Sequence, residues 1–301
     1  MKKSVSERLI EFADYHVNGD GECNGIVLKT WADKNGLDLE ERWELAYMYA
    51  VTYCTLSAIV LYEDWQKTHD ATEIAARRKN EIIFQSDRKY AKMRDCFRKL
   101  LEALNGMSAE WFLRNVGGGV IDTAKAVEFV EGWYMFGRFS AFLLIETFSM
   151  LTGIETTDAT IEWKKGNTAT SGLMNVFCLD EFAEAFDKKG ELLVDEETLD
   201  GLLERVKTAV KSLGGSTDVT EIETSLCAYR KFYKGSRYNG YYLDRMLGEI
   251  TDLRGKFPKQ AEELTEIRKK KFKKQYLGEY GGWSGIRKEL KTAYRNFGLI
   301  T

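Results

Sequence analysis

The densest collection of reactive side chains in this 301-residue chain lies between Cys227 and Arg245. The run Cys227-Ala228-Tyr229-Arg230-Lys231-Phe232-Tyr233-Lys234-Gly235-Ser236-Arg237-Tyr238-Asn239-Gly240-Tyr241-Tyr242-Leu243-Asp244-Arg245 holds five basic residues, five tyrosines and one carboxylate in nineteen positions. Guanidinium groups fork onto phosphate oxygens, and phenol rings stack on bases. Arg230, Arg237 and Arg245 are therefore candidate phosphate ligands, and Tyr238, Tyr241 and Tyr242 candidate walls of a base or substrate pocket. Asp244 could take a proton, or could equally favour the positive end of a helix that begins after Gly240.

A second constellation is Gly132-Trp133-Tyr134-Met135-Phe136-Gly137-Arg138-Phe139-Ser140-Ala141-Phe142, where a glycine turn opens an apolar helix. Backbone N–H groups at a helix start bind phosphate, and Arg138 stands beside them. Asp158 follows Arg138 by twenty residues. The plainer alternative is a glycine kink between two core helices with Asp158 in a loop. A third stretch, Phe12-Ala13-Asp14-Tyr15-His16, joins Glu41-Arg42-Trp43 and Tyr47, Tyr49 and Tyr53. Tyrosines at helical spacing commonly lie in a core with a polar tip. His16 reads either as a substrate-pocket residue or as a satisfied structural histidine.

The elements that must position these groups read as helices. Proline occurs once, at Pro258, and glycine, with 26 copies, serves as the breaker. Helices are expected over Ser6–Val17, Leu39–Trp65, Ala71–Leu104 (one or two), Val120–Leu151 with an interruption at Gly132–Gly137, Leu179–Asp187, Glu196–Leu213, Glu221–Phe232, Leu243–Leu253, Ala261–Tyr276 and Gly285–Phe297. Gly153–Gly172 reads as a loop, and no sustained β alternation or internal repeat is visible. The expected architecture is one all-α, two-lobed domain over residues 1–301, with a lobe boundary near 115–120 at Gly117-Gly118-Gly119.

Five cysteines with no CxxC spacing and only two histidines argue against a disulfide framework, a zinc site or a metal centre read from sequence. The N-terminus lacks the apolar run of a signal peptide, and Ala46–Tyr62 is too short and too polar for a membrane span. A soluble protein of a reducing cytoplasm is expected, with no membrane partner. The net charge of −3 hides an uneven distribution: residues 254–301 carry thirteen basic against five acidic groups. Their cluster Arg268-Lys269-Lys270-Lys271-Phe272-Lys273-Lys274 makes Lys270 and Lys271 candidate DNA-phosphate contacts, or simply a solvated face.

The glycine turn with a carboxylate about twenty residues on resembles the helix-hairpin-helix DNA glycosylase superfamily over residues 130–160. The likeness departs in two ways: the first hairpin glycine is displaced, and Phe139 stands where lyase-type members carry a catalytic lysine. A Schiff-base lyase is thereby disfavoured. Taken with Tyr15-His16, Glu41-Arg42-Trp43 and Gly240-Tyr241-Tyr242-Leu243-Asp244-Arg245, the chain resembles the bacteriophage amino acid:DNA transferases, which belong with the glutamyl/putrescinyl-thymine pyrophosphorylases.

That resemblance implies DNA hypermodification in a phage-infected cell's cytoplasm. An amino acid or amine would displace pyrophosphate from 5-(pyrophosphoryloxymethyl)uracil in double-stranded DNA. The base would have to be flipped from the duplex, the leaving group held by Arg138, Arg230, Arg237 and Arg245, and the nucleophile deprotonated by a carboxylate, Asp158 as first candidate and Asp244 as second. No cofactor is read from the sequence, although Mg²⁺ on the leaving group is compatible with it. A base-excision enzyme of the glycosylase kind and a non-catalytic helical DNA-binding phage protein are the rival readings.

Overall fold

The computed structural model describes residues 4–18, 23–85, 90–157, 161, 163, 167–177, 191–233, 240–272 and 277. Among them are fifteen helices and no strand, and an isolated β bridge joins Ile121 to Thr156. The all-α expectation holds. None of the described helices is long and apolar enough to cross a membrane.

Two compact units share the chain: unit 1 takes residues 1–23, 160–245 and 272–301, and unit 2 takes residues 24–159 and 246–271. Gly117-Gly118-Gly119 lies inside unit 2, where it turns the chain from one helix to the next. Gly117 adopts φ +135, and a Cβ there would meet the Val120 carbonyl at 2.4 Å, so this turn requires glycine.

Unit 2 is built on α3 (Leu39–Thr52), and both α4 (Thr55–Thr68) and α10 (Arg138–Thr152) pack on it. The start of α3 is written in Asp38-Leu39-Glu40-Glu41: Asp38 accepts from the Glu41 N–H, and Glu41 accepts from the Asp38 N–H. The core of the unit is aromatic. Trp43, fully buried, stacks on Phe112 at 4.7 Å and meets the edge of Phe148 at 5.3 Å.

The single helix expected over Leu39–Trp65 is in fact two. Tyr53 takes the left-handed conformation with φ 52 and ends α3, donating its N–H to the Tyr49 carbonyl. The Thr52 hydroxyl accepts the Cys54 N–H and donates to the Met48 carbonyl, which supplies local partners for a broken ladder. Reversal at this point lets Tyr62 and Trp65 of α4 donate to Glu41 and Glu44 of α3. Two helices of this unit were not anticipated, α2 (Cys23–Asn35) and α8 (Ala109–Val116). The basic stretch after residue 70 forms three short helices, α5 (Ala71–Arg78), α6 (Tyr90–Asp95) and α7 (Phe97–Leu104). Pro258 occupies the first position of α15 (Pro258–Lys271), where its missing N–H costs nothing.

Unit 1 is built from α1 (Val5–Asn18), α11 (Asn167–Val176), α12 (Glu196–Ser212), α13 (Val219–Tyr233) and the first turn of α14 (Tyr241–Leu253). Part of the expected Gly153–Gly172 loop is therefore helical. Its threonines and glycine, poor helix formers alone, are recruited because small side chains permit close packing. A Cβ added to Gly172 would lie 2.1 Å from the Leu226 carbonyl oxygen, so α11 meets the backbone of α13 directly. α12 packs on α1 and α11, and its Leu199, Leu203, Val206 and Val210 form one buried stripe. The helices expected over Leu179–Asp187 and Gly285–Phe297 lie outside the described residues.

Gly172→Ala is expected to lower the melting temperature of the protein, with a cost of roughly 1–3 kcal/mol or more from overpacking against a backbone atom that cannot swing away. Thermal unfolding of the variant beside Gly201→Ala, where nothing lies within 4 Å of the added Cβ, checks this.

Candidate functional site

In unit 2, α9 (Thr123–Glu131) is followed by the turn Gly132–Gly137 and then by α10. The turn is strained at Met135, a non-glycine residue with φ 67. Gly137 caps α10 with no side chain, and the first turn of that helix carries no acidic residue. Arg138 is exposed at the first helical position, its guanidinium 5.1 Å from the Phe142 ring centre. Phe139 meets the edge of Tyr53 at 5.4 Å, which ties the start of α10 to the end of α3. Lys270 and Lys271 are exposed in the last turn of α15, where positive charge also suits the helix dipole.

Unit 1 holds most of the other predicted residues. Asp244 is completely buried in the first turn of α14, with its N–H donated to the Gly240 carbonyl. Arg245 is also buried, and Tyr241 and Tyr242 are half-buried with their rings edge to face at 5.3 Å. Arg230 lies in the last turn of α13. It is half-buried, its Nε is inaccessible to solvent, and it makes no hydrogen bond or ion pair with any described residue. Asp158, Arg237 and Tyr238 lie outside the described residues.

His16 is buried, and both of its ring nitrogens are engaged. Nε2 lies 3.0 Å from the Ser216 carbonyl, which can only accept, so Nε2 carries the proton. Nδ1 therefore accepts from the Ser225 hydroxyl at 2.7 Å. Burial pushes the imidazole pKa down, against the opposing pull of the Ser216 carbonyl and the Asp218 charge.

Around this imidazole sits a cluster that residue patterns alone did not reveal. Asp218 accepts from the N–H groups of Thr220 and Glu221 and so caps α13. Glu221, desolvated by burial and facing Asp218, is pushed up to about 7 even though the Ser216 hydroxyl favours its charged form. A signal for part of it exists in the sequence: Arg8, Phe12 and His16 recur every four residues and so share one face of α1.

Residues 36–238 match the family model of the amino acid:DNA transferases. The chain belongs to that family. No curated protein matches it significantly. An amino acid:DNA transferase joins two anionic or zwitterionic substrates, so cations that lack protein partners carry functional weight in it. The family match includes the hairpin, Arg138 and Arg230, while His16 and the first turn of α14 lie beyond its ends.

The titrating pair in unit 1 gives the transferase a defined pH response. Glu221, raised in the folded state, contributes stability below the unfolded value of 4.5 and loses it as pH rises through about 7. His16, lowered in the folded state, contributes above 6.5 and loses that contribution as pH falls below it. Glu221→Gln should therefore remove the decline in melting temperature between about pH 5 and about pH 8 while leaving the acid-side loss from His16 in place. Thermal melts of both proteins across that range make the comparison.

Proposed function

We propose that this amino acid:DNA transferase displaces pyrophosphate from 5-(pyrophosphoryloxymethyl)uracil in double-stranded DNA with a free amino acid or amine. The nucleophile loses a proton and forms a bond to the exocyclic methylene. The bond from that carbon to oxygen breaks, and pyrophosphate departs with the electron pair. The observation that carries this reading is Arg230, a half-buried guanidinium with no protein partner among the described residues in a member of this family. A buried cation without an anion is costly, and a leaving group of several negative charges supplies what is missing.

The other roles follow from the same chemistry. Arg138 and the start of α10 contact the DNA backbone in the manner of a helix-hairpin-helix glycosylase, and the target base leaves the stack. Arg237 and Arg245 share the pyrophosphate with Arg230, and Tyr238, Tyr241 and Tyr242 line the base pocket. Asp158 serves as the general base. The complete burial of Asp244 supports a positioning role at the start of α14, and the engagement of both ring nitrogens of buried His16 a structural one.

Mass spectrometry of nucleosides tests the proposal. Hydroxymethyl-uracil DNA, first pyrophosphorylated by a phosphate-donating kinase, is incubated with this protein and a pool of amino acids. An aminated thymine adduct is the expected product, whereas free base released from the DNA would identify an excision enzyme instead. Asp158→Asn should lower turnover by roughly 10²–10⁴ without loss of DNA binding. Full turnover in that variant, with Asp244→Asn folded and inactive, would move the base to α14.

DNA affinity should also fall steeply with salt. Charge reversal at Lys270 and Lys271 should flatten the slope of log affinity against log salt by about one unit per phosphate that is no longer neutralised. An unchanged slope would remove α15 from the interface.

A further inference from the structure

We infer that Arg8, Asn175 and Arg230 form the cradle for the pyrophosphate group, so that the N-terminal helix, which precedes the family match, supplies part of the site. The inference rests on the pyrophosphate chemistry proposed above and adds two residues to it. Its basis is the register of three helices in unit 1.

Phe12 meets the edge of Tyr229 at 5.3 Å, and His16 bonds Ser225, so α1 and α13 run antiparallel. Arg8 lies one turn before Phe12 on the same face and thus points to the end of α13 where Arg230 sits. The Arg8 guanidinium, buried, donates Nη1 to the Asn175 carbonyl at 3.0 Å, which brings the end of α11 to the same level. Gly172 of α11 touches Leu226 of α13, so these two helices run parallel. One turn beyond that contact, Asn175 is three residues past Gly172 and Arg230 four past Leu226. Each is therefore on the face turned toward the other helix, about 5–6 Å further along.

Two donors in this corner have no acceptor among the described residues. The Asn175 amide nitrogen and the Arg230 Nε are both inaccessible to solvent and make no hydrogen bond with any of them. A protein almost always satisfies such groups, and an exception of this kind points to a ligand. The two orphan groups are both donors, and the third side chain is a guanidinium. Their complement is an acceptor-only group of compact, multiple negative charge, and phosphoryl oxygens meet that description.

The placement also predicts an unusual stability pattern. Removing a donor that has no partner forfeits no hydrogen bond, and removing a half-buried cation that has no anion relieves a desolvation cost. Asn175→Leu and Arg230→Met should therefore melt at or above the wild-type temperature while losing the anion.

Titration calorimetry with inorganic pyrophosphate, on the full chain, provides the test, with unmodified duplex DNA as a second titrant. Wild type should bind pyrophosphate. Arg230→Met and Asn175→Asp should each weaken it by about 10–100-fold, the scale of a charge-assisted hydrogen bond. Affinity for the unmodified duplex should stay the same. Failure of wild type to bind pyrophosphate, or binding unaffected by either substitution, overturns the cradle. Equal losses for both titrants overturn it too, because the residues would then hold the DNA backbone. A large drop in melting temperature for both Asn175→Leu and Arg230→Met would overturn it by showing a structural role. The transfer assay separates the two levels. Adduct formation with unaltered pyrophosphate affinity in the variants sinks the cradle alone. The expected calorimetry without any adduct sinks the transfer chemistry and leaves the anion site standing.

Discussion

The direct approach of α11 to the backbone of α13 at Gly172 governs the arrangement of unit 1. With no side chain to hold the helices apart, the neighbouring small residues come into contact: Ala169 and Thr170 of α11 and Ser225 of α13 are all fully buried. Close packing of this kind gains dispersion contacts and leaves little freedom for either helix to slide. The register it imposes aligns Asn175 with Arg230 and leaves α1 to lie alongside, where Phe12, Tyr15 and His16 fill the remaining surface. The position of Arg230 at the end of α13 thus depends on a contact one helical turn away that involves no charged atom.

In unit 2 the corresponding constraint is aromatic. Trp43, Phe112, Phe148 and Trp133 interlock, and the core they form lies between α3, α8 and α10. Arg42 at the start of α3 bonds the Leu151 carbonyl near the end of α10, and Tyr53 at the end of α3 packs on Phe139 near its start. The two helices are therefore antiparallel along their full length. This supports the hairpin turn before α10 on a rigid surface, and the strained backbone at Met135 is tolerated because its flanks cannot relax.

The two kinds of buried ionisable group in unit 1 are handled in opposite ways. His16 and Glu221 are pushed toward their neutral forms, and hydrogen bonds to Ser216 and Ser225 complete their shells. Arg230 cannot neutralise itself, since a guanidinium stays charged at any pH a protein survives. With no anion beside it among the described residues, its burial carries a cost that the proposed pyrophosphate would offset. Stability and function pull apart at this residue.

Much of this molecule was legible from the chain alone. Scarce proline, capping signals such as Asp38 with Glu41, and the stripe Leu199, Leu203, Val206 and Val210 mark helices because local hydrogen bonding and apolar period act within a few residues. The candidates for phosphate contact around Gly132–Arg138 and Arg230–Arg245 could be named for the same reason: residue type and short-range spacing carry the signal. Tertiary contacts decided the rest. Tyr53 breaks a stretch that is continuous in pattern, because α4 gains more by folding back on α3 through Tyr62 and Trp65 than by extending it. The polar run at Asn167–Val176 becomes a helix only when α13 lies against Gly172. Nor could spacing show that Arg8 bonds the Asn175 carbonyl, since the two are far apart in the chain and share no local period. Sequence determined which groups were available and which segments could coil, whereas packing at long range determined which of those groups would be buried and, among the described residues, which would find a partner.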